Sequence, residues 1–254
     1  MSKIYDALEQ ARKEKEAEVI LPGRPESRFD LPIAPVAFDS ARPNLEVDVE
    51  EEMVTLYQTI TASLPDIEKR VVLFIGSRSN EGTSTVSKQL AKVCSLRMGK
   101  SVLLIDLDRS RPHLNVFKNA KPECSLEEVV NSGEPLEKAL CQVEESGLYV
   151  MPLFQQCMIS PRTLDAAKSK DFWESLREKF DLIIIDAPPA TLFPDGLAMV
   201  GLVDGVVLVV EAEQTRWQVA LNVKEKIQKH GGNILGIVFN KREYFIPEFI
   251  YKRL

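Results

Sequence analysis

The sequence predicts a doubly wound α/β fold, in which a mostly parallel sheet is covered by helices on both faces. Strand-sized runs of valine, isoleucine and leucine recur along the chain without polar interruption, as expected for strands that are buried on both faces. Segments with helical periodicity separate these runs, and a glycine- and serine-containing loop joins the first run to the helix after it. This alternation is typical of parallel strands that are linked by crossover helices.

The first 47 residues precede the predicted domain. Residues 1–18 predict a short, highly charged helix with a narrow apolar stripe, and both docking onto a partner and a solvated terminus remain open for it. Residues 19–47 are rich in proline and show no sustained period, which predicts an extended linker. The domain itself is predicted to span residues 48–240, and it begins with an amphipathic helix that ends near Pro65.

Strands and helices then alternate through this domain. The predicted strands begin at Val71, Val102, Leu148, Leu182, Val206 and Ile234. The predicted helices run from Ser84 to Met98, around Phe172 to Lys179 and around Trp217 to His230. Because ligands in such sheets bind at the carboxyl ends of the strands, the polar residues at these ends form the candidate site.

Composition and charge exclude several classes of function. The 254 residues are 44% hydrophobic and 28% charged, and the net charge of −6 disfavours a nucleic-acid partner. The cysteines lack the short paired spacing of a zinc site or a disulfide framework, which favours buried thiols in a reducing cytosol. They are Cys94, Cys124, Cys141 and Cys157. No segment has the pattern of a secretory signal or a membrane span, so we expect a cytoplasmic protein.

The candidate phosphate-binding loop follows the first predicted strand and opens a helix. Consecutive backbone N–H groups at a helix N-terminus favour an anion. Against the spacing G-x-x-x-x-G-K-[ST], Ser77 stands at the first glycine and Thr83 at the lysine. Ser84 is placed to offer a hydroxyl to Mg²⁺, with Thr85 next, although a plain helix cap remains open for both. The candidate phosphate-binding residues of the loop are Ser77, Asn80, Glu81, Gly82, Thr83, Ser84 and Thr85.

Carboxylates follow two of the predicted strands. Asp106 and Asp108 come directly after the second strand, and Asp186 ends a later strand in the manner of a Walker B motif. Two carboxylates at the mouth of a buried sheet are costly unless they bind a cation or accept hydrogen bonds. The sequence therefore predicts a Mg²⁺ site here, with Asp186 as an outer-sphere partner.

In order and spacing, these segments resemble the bacterial tyrosine kinase family (BY-kinases, CpsD- and CapB-like) of capsule and exopolysaccharide biosynthesis. This family derives from the MinD/ParA branch of P-loop ATPases. The resemblance extends from Glu52 to about Asn240. It depends on the loop Ser77 to Thr85, the D-x-D-x-x-R-P segment at Asp106, the D-A-P-P segment at Asp186, Asp195, and the D-G-V-V-L-V-V segment at Asp204.

The resemblance implies a site chemistry. It implies ATP and Mg²⁺ as cofactors, with Ser84, Asp106 and Asp186 around the metal. It further implies that Asp106 and Asp108 are catalytic, with Asp108 orienting or deprotonating the acceptor tyrosine. Asn240 matches the position that contacts adenine in the wider ATPase group, although a strand-end turn remains an open alternative. The family's partner is a membrane polysaccharide co-polymerase or chain-length regulator, which implies a position at the inner face of the cell membrane.

The sequence departs from the family pattern near the phosphate loop and in the first helix. Because Thr83 stands at the position of the loop lysine, that lysine's charge is not available to stabilise the negative charge that develops during phosphoryl transfer. Slow or absent phosphoryl transfer is therefore expected. Arg78 and Lys88 are nearby cations that could compensate, but neither lies at the matching position. The family's two ring-forming arginines are replaced by Thr55 and Gln58, which makes a kinase-type ring doubtful.

The C-terminal tail, residues 241–254, is basic and aromatic. It offers Tyr244 and Tyr251 as candidate phosphoacceptors. Its composition suits a membrane surface or a partner groove, and packing against the sheet edge is equally open.

We therefore predict a pseudokinase-like regulator of exopolysaccharide or capsule biosynthesis and export, in which phosphoryl transfer is weak or lost. One alternative is an active, ATP-dependent autokinase that phosphorylates its C-terminal tyrosines. Another is a MinD/ParA-type positioning ATPase. Assembly into a homo-oligomer is compatible with each of these.

Overall fold

The computed structural model of the chain describes residues 29, 32–36, 47–65, 70–108, 122–144, 146–152 and 166–242. The predicted N-terminal helix (residues 1–18), Cys157, and the candidate phosphoacceptors Tyr244 and Tyr251 lie outside these ranges.

One sheet organises the described residues. Its strands are β1 (Ala34–Val36), β2 (Arg70–Gly76), β3 (Val102–Asp106), β4 (Cys141–Val143), β5 (Leu148–Pro152), β6 (Leu182–Asp186), β7 (Gly205–Glu211) and β8 (Ile234–Asn240). The eight strands lie in the order β1-β4-β5-β3-β6-β2-β7-β8. All neighbouring strands are parallel except β4 and β5, which pair antiparallel. The predicted mostly parallel α/β sheet is thus confirmed.

Helices connect these strands. They are α1 (Val47–Ser63), α2 (Thr83–Leu96), α3 (Leu126–Ser132), α4 (Ala166–Lys179), α5 (Asp195–Met199) and α6 (Trp217–Lys229). Short 3₁₀ helices cover Leu136–Ala139 and Val200–Leu202. Helices α2, α4 and α6 correspond to the three helices predicted between strands.

The central strands β2, β3, β6 and β7 are buried on both faces, as their continuous apolar runs predicted, whereas the edge strand β8 exposes Ile237 and Phe239. In β2, Leu73 and Ile75 pack into one hydrophobic core, and Val72 and Phe74 pack into the other. Helices α1 and α2 contribute to the second core, and α4 and α6 contribute to the first. Covering both faces leaves the ends of the strands as the place where polar side chains gather.

Helices α1 and α2 pack together on one face of the sheet. Met53 and Ile60 of α1 and Leu90 of α2 are buried in the same core. At their surface, the Arg97 guanidinium lies 2.6 Å from the Glu50 carboxylate. The first predicted helix of the domain therefore packs onto the sheet through α2.

Strand β1 lies within residues 19–47, the range predicted as a linker. It pairs with β4 at the edge of the sheet, so residues 34–36 belong to the sheet. Phe29, from the same range, lies with its ring centroid 4.9 Å from that of Tyr149. A three-residue strand is too short to show periodicity, and Pro35 is tolerated because an edge strand need not donate every backbone hydrogen bond.

Three of the cysteines are buried: Cys94, Cys124 and Cys141. This agrees with the expectation drawn from their spacing. Burial raises the pKa of the Cys94 thiol to about 12, and the Lys100 charge lowers it only in part. Among the described helices, none combines the length and apolar character that a bilayer-spanning helix requires.

Candidate phosphate-binding site at the carboxyl edge of the sheet

The carboxyl ends of three central strands bring the predicted site residues together. Strand β6 lies between β3 and β2, and Asp106 is the register partner of Asp186. The phosphate loop leaves the adjacent strand β2 after Gly76. The acid pair and the loop therefore share one edge of the sheet, as the sequence predicted.

The loop enters α2 with unpaired backbone donors. Asn80 and Gly82 have positive φ values of 73° and 88°, and Gly82 is the N-cap residue of α2 without a side-chain cap. Within the described ranges, the N–H groups of residues 81–84 donate no hydrogen bond to another backbone group. Such donors at a helix N-terminus favour a bound anion. Ser84 and Thr85 lie inside the helix, so the alternative of a plain cap does not apply to them.

The Glu81 side chain stabilises the conformation of the loop through hydrogen bonds. Its buried carboxylate accepts hydrogen bonds from the Ser77 hydroxyl (2.6 Å), the Arg78 backbone N–H (2.7 Å) and the Thr215 hydroxyl (2.5 Å). Ser77 and Glu81 thus hold the shape of the loop. Sequence reasoning missed Thr215, which reaches the loop from the turn between β7 and α6.

Residues at the end of β8 also contact the loop. The Asn240 side-chain amide donates to the Glu81 carbonyl at 2.8 Å. The Lys241 ammonium donates to the Asn80 carbonyl and lies 3.3 Å from the Glu211 carboxylate. One donor of Asn240 is therefore engaged by the loop, and a role for this residue at adenine stays a prediction.

Thr83 does not supply a cation to the cradle. Its side chain is buried, and its hydroxyl faces the start of the loop, where a Cβ on Gly76 would lie 2.6 Å from Oγ1. In a lysine-containing loop, the residue at this position reaches the β- and γ-phosphates. The cradle is therefore formed by backbone dipoles without that charge.

A different lysine approaches the acid pair. The Lys88 ammonium, on α2, lies 3.5 Å from Asp106 Oδ2 and 3.9 Å from Asp186 Oδ2. The Asp108 backbone N–H donates to Asp106 Oδ1 at 3.0 Å. Asp186 is fully buried, and neither of its carboxylate oxygens has a hydrogen-bond partner among the described residues. Asp108 itself is partly exposed beside this pair.

The two acids share an environment that disfavours negative charge. Burial raises the pKa of Asp106, whereas the Lys88 charge and the Asp108 N–H lower it in part. The pKa of Asp186 is raised to about 8, first by burial and then by the negative charge of Asp106, against lowering by Lys88 and Ser84. The buried pair thus favours a shared positive partner or a retained proton.

The arrangement fits a cation but does not fit a divalent ion as it stands. The predicted metal residues Ser84, Asp106 and Asp186 lie at one edge, yet the Lys88 ammonium already contacts both carboxylates. Among the described side chains, no group of three or more His, Cys, Asp or Glu is placed to hold a metal, so a divalent ion at this edge would depend on phosphate oxygens and water for most of its ligands. A divalent ion would have to displace Lys88 to bind both acids.

The close approach of Asn240 makes Gly82 the most restricted residue of the loop. Alanine at this position would combine an unfavourable φ of 88° with a collision between its Cβ and Asn240 Nδ2. We expect Gly82→Ala to lower the free energy of unfolding by about 2 to 4 kcal/mol, as measured by urea denaturation. Gly231→Ala is the matched control, because Gly231 has φ 78° with no atom near its Cβ position. An equal decrease in the free energy of unfolding of both variants would show that the contact with Asn240 does not contribute to the effect.

Known proteins share this fold and this sequence pattern. An AAA domain family model matches residues 69–233. The tyrosine-protein kinase CpsD of Streptococcus agalactiae is 29% identical over 175 residues, which are 68% of this chain and 76% of that protein.

Solved structures agree on the fold. The kinase domain of the Escherichia coli tyrosine kinase ETK superposes with a TM-score of 0.67 at 22% identity and covers 78% of each chain. The septum site-determining protein MinD of Pyrococcus horikoshii, solved with Mg-ADP, gives a TM-score of 0.53 at 22% identity, over 72% of this chain and 76% of that one. The chain therefore belongs to the AAA domain family, and its sequence is similar to that of the CpsD tyrosine kinases, with threonine at the position of the P-loop lysine.

Proposed function

We propose that this protein is a kinase-like regulator of capsule or exopolysaccharide biosynthesis and export, which binds ATP and transfers its phosphoryl group weakly or not at all. The observation that carries the proposal is the combination of an intact backbone cradle with an uncharged Thr83. The unpaired N–H groups at the start of α2 can hold the polyphosphate. The missing ammonium removes stabilisation that phosphoryl transfer needs as negative charge develops.

The proposed partner is a membrane-bound polysaccharide co-polymerase or chain-length regulator, at the inner face of the cell membrane. Helix α1 exposes Glu52, Thr55 and Gln58, so the surface that matches the ring-forming arginines of the family carries none. We infer that the chain acts on its partner without a kinase-type ring. The tail, residues 241–254, is the proposed peripheral contact with the membrane.

Isothermal titration calorimetry of the full chain with ATP tests the nucleotide-binding half of the proposal. Saturable binding of ATP is expected, together with no binding of adenosine, because the phosphates supply the contacts. Failure of both ATP and ADP to bind would contradict a nucleotide-dependent role.

Mass spectrometry after incubation with ATP and Mg²⁺ tests the catalytic half. We expect no phosphate on Tyr244 or Tyr251, or transfer at least about 100-fold slower than in a lysine-containing kinase of the family, from the cost of removing one stabilising group. Rapid phosphorylation of either tyrosine would instead support the active autokinase. That second candidate is favoured by one observation, the placement of Asp106, Asp108 and Asp186 at adjacent strand ends.

A further inference from the structure

Lys88 is the cation that the sequence pattern does not explain. It lies one helical turn after Ser84 on α2, and side chains on a helix lean toward its N-terminus. Its ammonium lies 3.5 Å from Asp106 Oδ2 and 3.9 Å from Asp186 Oδ2, at the carboxyl ends of β3 and β6. Only 11% of the Lys88 side chain is exposed, so the contact lies within the protein and is shielded from solvent.

We propose that the Lys88 ammonium is a tethered cation that takes the place of the divalent ion at this P-loop, so that the polyphosphate of a nucleotide binds without Mg²⁺. The inference deepens the proposed function, since it depends on nucleotide binding at the same loop. It assigns to Lys88 a specificity-determining role: the residue selects metal-free nucleotide.

Charge and position support the proposal. The two carboxylates carry at most two negative charges, and Lys88 already neutralises one of them. Mg²⁺ requires oxygen ligands at about 2.0 to 2.1 Å in a near-octahedral set, so a bound ion would lie close to the ammonium and be repelled by it. An ammonium needs no such ligand set, and Lys88 already lies within ion-pair distance of both carboxylates. The same charge lies at the edge of the sheet from which the phosphate loop leaves β2, where it would attract an anionic ligand.

The missing charge at position 83 and the charge that Lys88 carries are consistent with one another. A loop without its own lysine leaves the phosphate edge short of one positive charge, and Lys88 restores one at the same edge of the sheet, beside Asp106 and Asp186. The Lys88 ammonium is already paired with two carboxylates, so less of its charge is available to stabilise the negative charge that develops during phosphoryl transfer. The arrangement therefore favours holding a nucleotide over reacting it.

The direct test is to measure the binding of Mn²⁺ to the full chain in the absence of nucleotide, with electron paramagnetic resonance as the detection method. The wild type is expected to show no saturable binding in the millimolar range, and Lys88→Met is expected to bind Mn²⁺ at least about tenfold more tightly. Lys92→Met, one turn further along α2, is the matched control and should behave like the wild type. Lys88→Arg keeps the charge and should also exclude the ion.

The second arm measures ATP affinity in EDTA and in excess Mg²⁺. The ATP affinity of the wild type should differ by less than about threefold between the two conditions. The ATP affinity of Lys88→Met in EDTA should be at least about tenfold lower than that of the wild type. Tight Mn²⁺ binding by the wild type, or a wild-type ATP affinity that collapses in EDTA, would overturn the proposal. If Lys88→Met does not fold, the wild type and Lys88→Arg still decide between these outcomes. A wild type that binds no nucleotide in either condition refutes the proposed function, while the Mn²⁺ comparison still tests Lys88.

Discussion

Replacing Thr83 by lysine is expected to raise the affinity for ATP by about ten- to a hundredfold, since one hydrogen bond to a charged group contributes about 1.5 to 3 kcal/mol. The reason is geometric. Thr83 is the first residue of α2, and its side chain already points back along the loop toward Gly76. A longer side chain that follows the same path would pass over the cradle that the unpaired N–H groups form.

Calorimetry with ATP on the wild type and the variant measures this effect. Thr83→Met is the matched control, because it adds comparable length without charge and should not raise the affinity. A gain that appears in Thr83→Lys alone would show that the cradle still accepts a polyphosphate. Unchanged affinity in both variants would contradict this prediction, because it would mean that a charge at position 83 does not reach the bound polyphosphate.

The same variant separates the two functional candidates. If Thr83 is the element that limits phosphoryl transfer, lysine should also allow phosphate to appear on Tyr244 or Tyr251. If Lys88 continues to exclude the divalent ion, Thr83→Lys should bind ATP more tightly and still transfer slowly, and only the combination with Lys88→Met should react. Mass spectrometry of the single and double variants tells these outcomes apart.

The sequence was sufficient for the sheet and for the loop, and the reason is physical. Strands buried on both faces must be apolar along their whole length, so β2, β3, β6 and β7 were recognisable without any knowledge of their neighbours. The loop was recognisable because its spacing and its place between a strand and a helix are local features. Strand β1 is too short for such a signal, and it belongs to the sheet only because β4 lies beside it.

The contacts that define the chemistry were not local, and so the sequence left them open. Lys88 meets Asp106 and Asp186 only because β6 lies between β3 and β2, an order that no single segment encodes. The hydrogen bond between Thr215 and Glu81 joins residues far apart in the chain for the same reason. Sequence reasoning could name Lys88 as a nearby cation, but only the strand order shows which carboxylates it neutralises.

Asp186→Asn is expected to remove a fall in stability that the wild type shows as the pH rises toward 8. The pKa of Asp186 is raised to about 8, first by burial and then by the charge of Asp106, from an ordinary value of 3.8. Between these two values, the unfolded chain carries an ionised carboxylate while the folded protein keeps the proton. Unfolding then releases a proton, so the free energy of unfolding falls by up to about 1.4 kcal/mol per pH unit. The stabilisation that comes from the retained proton is complete below pH 4, and it is lost as the pH rises through the folded-state pKa of Asp186.

Thermal or urea denaturation between pH 6 and pH 9, in EDTA to remove divalent ions, measures the difference. Asparagine cannot ionise, so the free energy of unfolding of the variant should not show this fall. Between pH 6 and pH 8 it should therefore rise relative to that of the wild type by roughly 2 to 3 kcal/mol. Asp108→Asn, at the same edge but partly exposed, is the control and should keep the slope of the wild type. Parallel curves for Asp186→Asn and the wild type would mean that Asp186 is ionised throughout this range. The buried edge would then hold enough positive charge and hydrogen-bond donors to stabilise both ionised acids.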